Sequence, residues 1–364
     1  MFNNHRTLYR YVTREFLKIL GLSLSSLVLI YIVVVFLQKM TSIGKYQAPF
    51  YLIFEYLLYN LPEVAFKWTL PYAVLLSILL TLGNLSRHSE ITALKAGGVS
   101  LYRITLPLFF VVFLISIANF LGNEYLVPFT YQKSRYVWEV KIKKEKPTSF
   151  FKNFKIWYRS DNRIINIQVL DPQKKALNGV TLYQLDDQFR CVQRVDAREV
   201  RWVNGEWRFY EGALRNFGED GSLRMTPFRE MNFPLNENWE SFQRVQRDSE
   251  EMSYTELRTY IQNIHASGYN ATRYLVELNA KLSLPFLNLI MVLIGIPFAL
   301  KTSRSGGVAM SVGLSVLIAF IFGVIYYIFL SVGKTGILPP VLSAWTPTLL
   351  FGLAGTFTLM SVRQ

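Results

Sequence analysis

Cysteine is nearly absent from this 364-residue chain: Cys191 stands alone, so no intramolecular disulfide framework can staple any part of it. Histidine is almost as scarce, and His5, His88 and His265 lie too far apart in sequence to suggest a metal-ligating cluster. Charge is thin as well. Charged residues make up 18% of the chain against 51% hydrophobic, outside the ordinary balance of a water-soluble domain. Catalytic constellations are missing too. Gly333-Lys334-Thr335 resembles the close of a phosphate-binding loop, but the motif's first glycine would fall at Ile328, and an apolar helix precedes it where a strand is required. The chain is therefore expected to be no enzyme and to bind no cofactor of its own.

What the chain has in abundance is long apolar runs. They occupy 19–38, 68–85, 104–121, 282–300, 307–332 and 341–361, each close to the ~20 residues that a helix needs to cross a bilayer. The first is too long for a signal-peptide core and no small-residue cleavage site follows it, so it is expected to stay in the mature protein. Between the third and fourth runs, charged side chains recur every few positions. The expectation is an α+β membrane protein with six transmembrane helices, three before and three after an inserted β domain. Residues 1–122 hold an N-terminal amphipathic helix and the first three spans, 123–272 the soluble domain with a connecting helix, and 273–364 the last three spans.

The formal net charge of +14 is unevenly distributed. Residues 123–272 hold 23 Lys+Arg against 20 Asp+Glu, whereas the two apolar parts hold 16 against 5. Basicity is thus a membrane property and no nucleic-acid signature. With the N-terminus inside, the inner pieces carry Arg6, Arg10, Arg14, Lys18, Arg87, Lys95, Arg103, Lys301, Arg304 and Arg363. The short outer loops carry only Lys39, Lys45, Lys67 and Lys334. This asymmetry follows the positive-inside rule, so both termini are expected in the cytoplasm and the soluble domain outside, in the periplasm of a bacterium.

Arg6, Arg10, Arg14 and Lys18 recur at i, i+4 spacing while Leu8, Tyr11, Val12 and Phe16 fall on other sides, the pattern of an interfacial helix leading into the first span. Residues 41–67, with Pro49 and Pro62, read as a surface-lying outer segment. Arg87 to Gly98 reads as a short cytoplasmic helix between spans two and three, with Glu90 inside it and Gly97-Gly98 as its stop. Such a helix is what an ABC-transporter membrane subunit presents to its ATPase; an ordinary connector is the competing reading.

In the soluble part, runs rich in β-branched and aromatic residues at 155–158, 163–170, 180–185, 189–195, 199–203, 207–210 and 223–233 predict about seven strands. Asp171-Pro172, Asn178-Gly179, Asn204-Gly205 and Asp220-Gly221 serve as turn signals. A sandwich or open jelly roll follows. Ile165, Ile167 and Val169 alternate and are candidates for its apolar lining, although a one-residue error in register would reverse the choice. Ser253 with Glu256 predicts a capping box opening a helix over 253–266.

Ionisable residues at a membrane are costly, and their positions are informative. Lys39, Lys45 and Lys67 cluster at the outer ends of spans one and two, where three ammonium groups could hold a phosphate-bearing lipid; plain snorkelling is the alternative. Arg273, Glu277 and Lys281 share one helix face at the start of span four, as a self-neutralising ladder or as a ligand-facing one.

The order of parts, with Leu82-Gly83-Asn84-Leu85-Ser86-Arg87-His88-Ser89-Glu90-Ile91 and Ala96-Gly97-Gly98, resembles the LptF/LptG permeases of lipopolysaccharide transport along essentially the whole chain. The segment Ser267-Gly268-Tyr269-Asn270-Ala271-Thr272-Arg273-Tyr274 is more similar to the LptG branch. The resemblance implies a permease paired with a related LptF-like subunit, resting on a dimer of LptB-like ATPases that bind ATP and magnesium. It also implies delivery of lipopolysaccharide to a periplasmic bridge of LptC- and LptA-like jelly rolls. It places Arg87, Ser89 and Glu90 in the ATPase-coupling segment. The family's lipid-gripping basic residues do not align cleanly, so Lys39, Lys45, Lys67, Arg273 and Lys281 stand as lipid-phosphate candidates on electrostatic grounds alone. Two other functions compete: export of a different lipid or lipoprotein, and a membrane-anchored periplasmic assembly or sensor protein without an ATPase.

Overall fold

A computed structural model describes residues 3–144, 149–152, 155–160, 162–171, 174–186, 188–203, 205–218, 222–235, 239, 252–266, 270–302 and 307–361. The chain divides into two compact units: Met1–Lys144 with Ser253–Leu257 and Thr272–Gln364, and Glu145–Met252 with Arg258–Ala271. Pro172, Asn204, Asp220-Gly221, Ser267-Gly268-Tyr269, Arg304 and Arg363 fall outside the described residues.

The first unit is helical. Among the described residues, six of its helices are long and apolar enough to cross a membrane, and they coincide with the six apolar runs. The first, α1 (Asn3–Tyr46), is unbroken over 44 residues, so the amphipathic start and the first span are one rod. It stops where Gln47 turns left-handed at φ +48 and Pro49 follows. The outer segment then forms α2 (Tyr51–Glu63), too short at 13 residues to span a bilayer. A π-helical turn over Val64–Thr69 leads into α3 (Leu70–Arg87), and α4 (Glu90–Ala96) precedes α5 (Leu101–Leu121).

Past residue 122 the chain stays helical, through a second π turn at Gly122–Leu126, α6 (Val127–Tyr136) and a third π turn at Val137–Ile142. The Phe66 ring lies where a side chain on Gly122 would meet it, so the first two π turns pack closely. Residues 123–142 read as soluble because they carry charge. Their helical period nevertheless buries Val127, Val137 and Ile142.

The chain re-enters this unit at Ser253, where the expected capping box is present. The Ser253 amide donates to Glu256 Oε2 and the Glu256 amide to Ser253 Oγ, each at 3.1 Å, opening α7 (Tyr254–Ala266). Buried Glu124 reinforces the start of α7, accepting from the Tyr254 amide at 2.6 Å and the Thr255 amide at 3.1 Å. Helices α8 (Thr272–Thr302), α9 (Gly307–Lys334) and α10 (Pro340–Met360) complete the unit. A single apolar cluster joins Val12 and Phe16 of α1, Ile78 and Leu82 of α3, Leu108 of α5, Met291 and Ile294 of α8, and Phe322 of α9. Gly295 lets α8 approach Ile78 of α3, whose methyl would sit 2.8 Å from a Cβ there. Val316, Phe320, Leu353 and Phe357 remain exposed on α9 and α10, as a hydrocarbon-facing surface requires.

The second unit holds Arg258–Ala266 of α7 and, among its described residues, one seven-stranded antiparallel sheet: β1 (Ser149–Lys152), β2 (Lys155–Ser160), β3 (Arg163–Asp171), β4 (Ala176–Leu185), β5 (Cys191–Val203), β6 (Glu206–Phe217) and β7 (Leu223–Asn232). Neighbours follow chain order, so the sheet is a meander in which short hairpins leave each strand beside the next. Greek-key crossovers do not occur among the described pairings. Two expected strands, 189–195 and 199–203, are the single strand β5. Polar Asp196 at its middle suggests a break in sequence but faces outward, held by the Thr181 hydroxyl at 2.9 Å and by Arg194 and Arg215. At the β4–β5 hairpin, the amide of Arg190 holds the Asp186 carboxyl below its ordinary range.

Asn178-Gly179 is not a turn but lies inside β4. It belongs to a crease that crosses the sheet. Along β3, β4, β5 and β7, members of the apolar cluster are spaced by two, with one interval of three, at Ile167–Leu170, Leu177–Val180, Ala197–Val200 and Phe228–Met231. Register is unchanged on either side, while Gln168, Gly179, Arg198, Glu211 and Arg229 fall in the gaps of the pairing. Gly179 and Glu211 there adopt φ of +62 and +50. Strands β3 to β7 therefore exchange their inward and outward parity along one line, and the faces stay matched from strand to strand.

Candidate functional site

The segment around Glu90 is a rigid corner. Helix α3 ends at Arg87, and Ser89 takes the left-handed conformation at φ +60, at a cost of roughly 1–2 kcal/mol for a residue with a Cβ. Glu90 then opens α4; it is the first residue of a seven-residue helix and not the middle of a longer one, as the run 87–98 suggests. The helix closes as expected on Gly97-Gly98. Gly98 is left-handed at φ +80, and the amides of Gly98 and Val99 donate to the carbonyls of Lys95 and Leu94, both at 3.0 Å. Ile91 is buried in the membrane-unit core while Arg87 and Ser89 are exposed. Glu90 itself is half-buried and accepts a 3.0 Å hydrogen bond from the Tyr11 phenol of α1. A short polar ledge is thus pinned to the bundle by Ile91, with Leu94 packed beside it, and presents its acidic end.

The basic candidates do not form one cluster of idle cations. Lys39 lies 4.0 Å above the Trp138 ring and 5.8 Å from Tyr56. Lys67 pairs with buried Glu63 at 3.5 Å, and Asn60 donates to the same carboxylate. Lys45, near the end of α1, is exposed beside Tyr46. In the ladder, Glu277 is 3.7 Å from Arg273, but its shorter contact is to Lys334 at 2.8 Å, from the far end of α9. Lys281 is half-buried one turn further along α8. The ladder therefore also clamps α8 to α9.

Within the β domain, Ile165 and Ile167 are fully buried members of the apolar cluster. Val169 is buried at 5% exposure but lies outside that cluster, and Leu170 takes the inward place because the crease intervenes at Gln168. The lining continues through Val180, Leu182, Val195, Val200 and Phe209, and Trp202, Trp207 and Trp239 pack at one end of it.

The sequence profile described as "Lipopolysaccharide export system permease LptF/LptG" matches residues 10–361. The chain belongs to the LptF/LptG family. Among individual relatives, it is 21% identical to "Lipopolysaccharide export system permease protein LptG" of Haemophilus influenzae over 356 residues, 95% of this chain and 96% of that protein. It is likewise 21% identical to the LptG protein of Escherichia coli strain K12 over 294 residues, 80% of each chain. Membership of LptF/LptG makes it a multi-pass inner-membrane permease subunit, consistent with its six spans and inserted sheet.

Four side chains at these sites were not legible as such in the sequence. Tyr11 reads as part of an amphipathic helix, Trp138 as part of a soluble domain, Lys334 as a loop cation and Glu124 as one acidic residue among many. Each acts on a partner far away in the chain, and spacing carries no signal of that kind.

Proposed function

We propose that this LptF/LptG member is the LptG-like permease subunit of an ABC transporter that extracts lipopolysaccharide from the inner membrane and passes it toward the outer membrane. The single observation that carries this reading is the family match along residues 10–361, which spans both helical groups and the inserted sheet. In this reading the termini are cytoplasmic and the β domain periplasmic, as the distribution of Lys and Arg supports.

The chain pairs with an LptF-like subunit and rests on a dimer of LptB-like ATPases, where ATP and magnesium are bound and hydrolysed. Arg87, Ser89 and Glu90 form the contact with that motor. Removing an acyl chain from a bilayer costs about 0.8 kcal/mol per CH₂, so directional extraction requires coupling to such a motor. Positive charge for the lipid phosphates comes from Lys39, Lys45, Lys67, Arg273 and Lys281. Lys45 can engage without rearrangement, whereas Lys67 and Arg273 must give up part of their pairing with Glu63 and Glu277. Acyl chains then follow the apolar side of the sheet at Ile165, Ile167 and Leu170, the place expected for Val169 having passed to Leu170 at the crease, toward LptC- and LptA-like bridge proteins.

Mass spectrometry of the lipids retained by the purified complex tests the cargo. Lipopolysaccharide should be enriched over its share of the source membrane; recovery of bulk phospholipid alone would point to another lipid exporter.

A further inference from the structure

Tyr11 stands 79 positions before Glu90, yet its phenol donates to Glu90 Oε2 at 3.0 Å. The helix face beside Tyr11 is firmly seated. Val12 and Phe16 are fully buried, Leu8 packs with them, and Ile91 and Leu94 of α4 join the same cluster. The two backbones are thereby held against each other by apolar packing, and the phenol adds a directional polar link. Glu90 has need of one. It opens a helix of only seven residues bounded by left-handed Ser89 and Gly98, and an untethered carboxylate there samples several rotamers.

We propose that Tyr11 is a positioning residue for the coupling contact: its phenol fixes the Glu90 carboxylate for the docking ATPase, and α1 carries the resulting displacement across the membrane. This rests on the coupling role assigned above to Glu90. The rod is suited to the task because α1 is unbroken from Asn3 to Tyr46. From Tyr11 to Lys39 it covers about 42 Å at ~1.5 Å per residue. At the far end Lys39 is stacked on Trp138, and Val35 is buried with Ile53, Leu57 and Val137. One rigid element thus grips the ledge at Glu90 and, at its other end, the outer segment that follows it. The amphipathic start of α1 is in this view a wall of the docking platform as well as a membrane anchor.

The test is a double-mutant cycle on the full complex with its ATPase, reconstituted in proteoliposomes containing lipopolysaccharide. The readout is lipid released per ATP hydrolysed for Tyr11→Phe, Glu90→Ala and the double variant. Tyr11→Phe keeps the ring and removes only the donor. It should lower the ratio about three- to tenfold, the range expected for the net contribution of one solvent-exposed hydrogen bond. The double variant should be no worse than Glu90→Ala alone. Wild-type ratios in Tyr11→Phe, or losses that multiply in the double variant, would overturn the proposal. If Glu90→Ala is impaired and Tyr11→Phe is not, the positioning role alone falls; if Glu90→Ala also matches wild type, the coupling role of Glu90 falls with it.

Discussion

Glu90→Lys is expected to abolish co-purification of the ATPase and to lower lipopolysaccharide transport about a hundredfold or more. The carboxylate sits at the exposed end of a ledge whose backbone is fixed on both sides, by Ser89 at φ +60 and Gly98 at φ +80. Reversal replaces an acceptor by an ammonium beside Arg87, severs the Tyr11 bond and puts positive charge on the positive end of α4. Charge reversal at a desolvated interface costs about 3 kcal/mol or more, which is about a hundredfold in affinity. The bundle itself should survive, because Ile91 and not Glu90 anchors the segment in the core. Pull-down of the ATPase with the purified variant, alongside growth complementation, checks this. A variant that complements fully and still retains the ATPase would remove Glu90 from the coupling contact.

Gly212→Val is expected to destabilise the β domain by about 3 kcal/mol, the upper range for forcing a side chain into filled space. A Cβ on Gly212 would fall on the carbonyl oxygen of Asp196 in the adjacent strand and on the Phe228 ring. The carbonyl belongs to the ladder and cannot swing aside as a flexible side chain could. Position 212 also adjoins the crease, where Glu211 already occupies φ +50. The variant should show early loss of the β domain in limited proteolysis of the full-length protein, while fragments spanning the helices persist. Wild-type protection across residues 149–232 would show that the crease tolerates a side chain there.

These two effects differ in how far the sequence announces them. The spans are legible because a bilayer admits few solutions: each needs ~20 apolar residues, and the runs supply them without interruption. The short helix that begins at Glu90 is legible because it stands as a polar island between two such runs. The crease is not. Reading Ile165, Ile167 and Val169 as one lining assumes that a period of two persists, and the parity break at Gln168 violates that assumption within a single strand. Gly179 shows the same difficulty, since Asn-Gly has the composition of a hairpin turn and here sits in mid-strand. The pairing of Glu277 was legible in part. Arg273 one turn away is evident from i, i+4 spacing, whereas the shorter contact to Lys334 arises only once α8 and α9 have packed. Lys39 on Trp138 is hidden for the same reason. Local chemistry along one helix can be read from spacing; partners brought together by packing cannot.

The central claim is that ATP hydrolysis below the membrane delivers lipopolysaccharide to the apolar side of the inserted sheet. Photo-crosslinking from that side tests it most directly, with a photoreactive residue at Ile167 or Leu182, both in the apolar cluster, and at Thr181 as an outward control. Lipopolysaccharide adducts should form at Ile167 and Leu182 only when ATP is supplied, and should be missing at Thr181 and in the Glu90→Lys background. Folded variants that form no adduct at either inward position with ATP present, or that form equal adducts without it, would contradict the account.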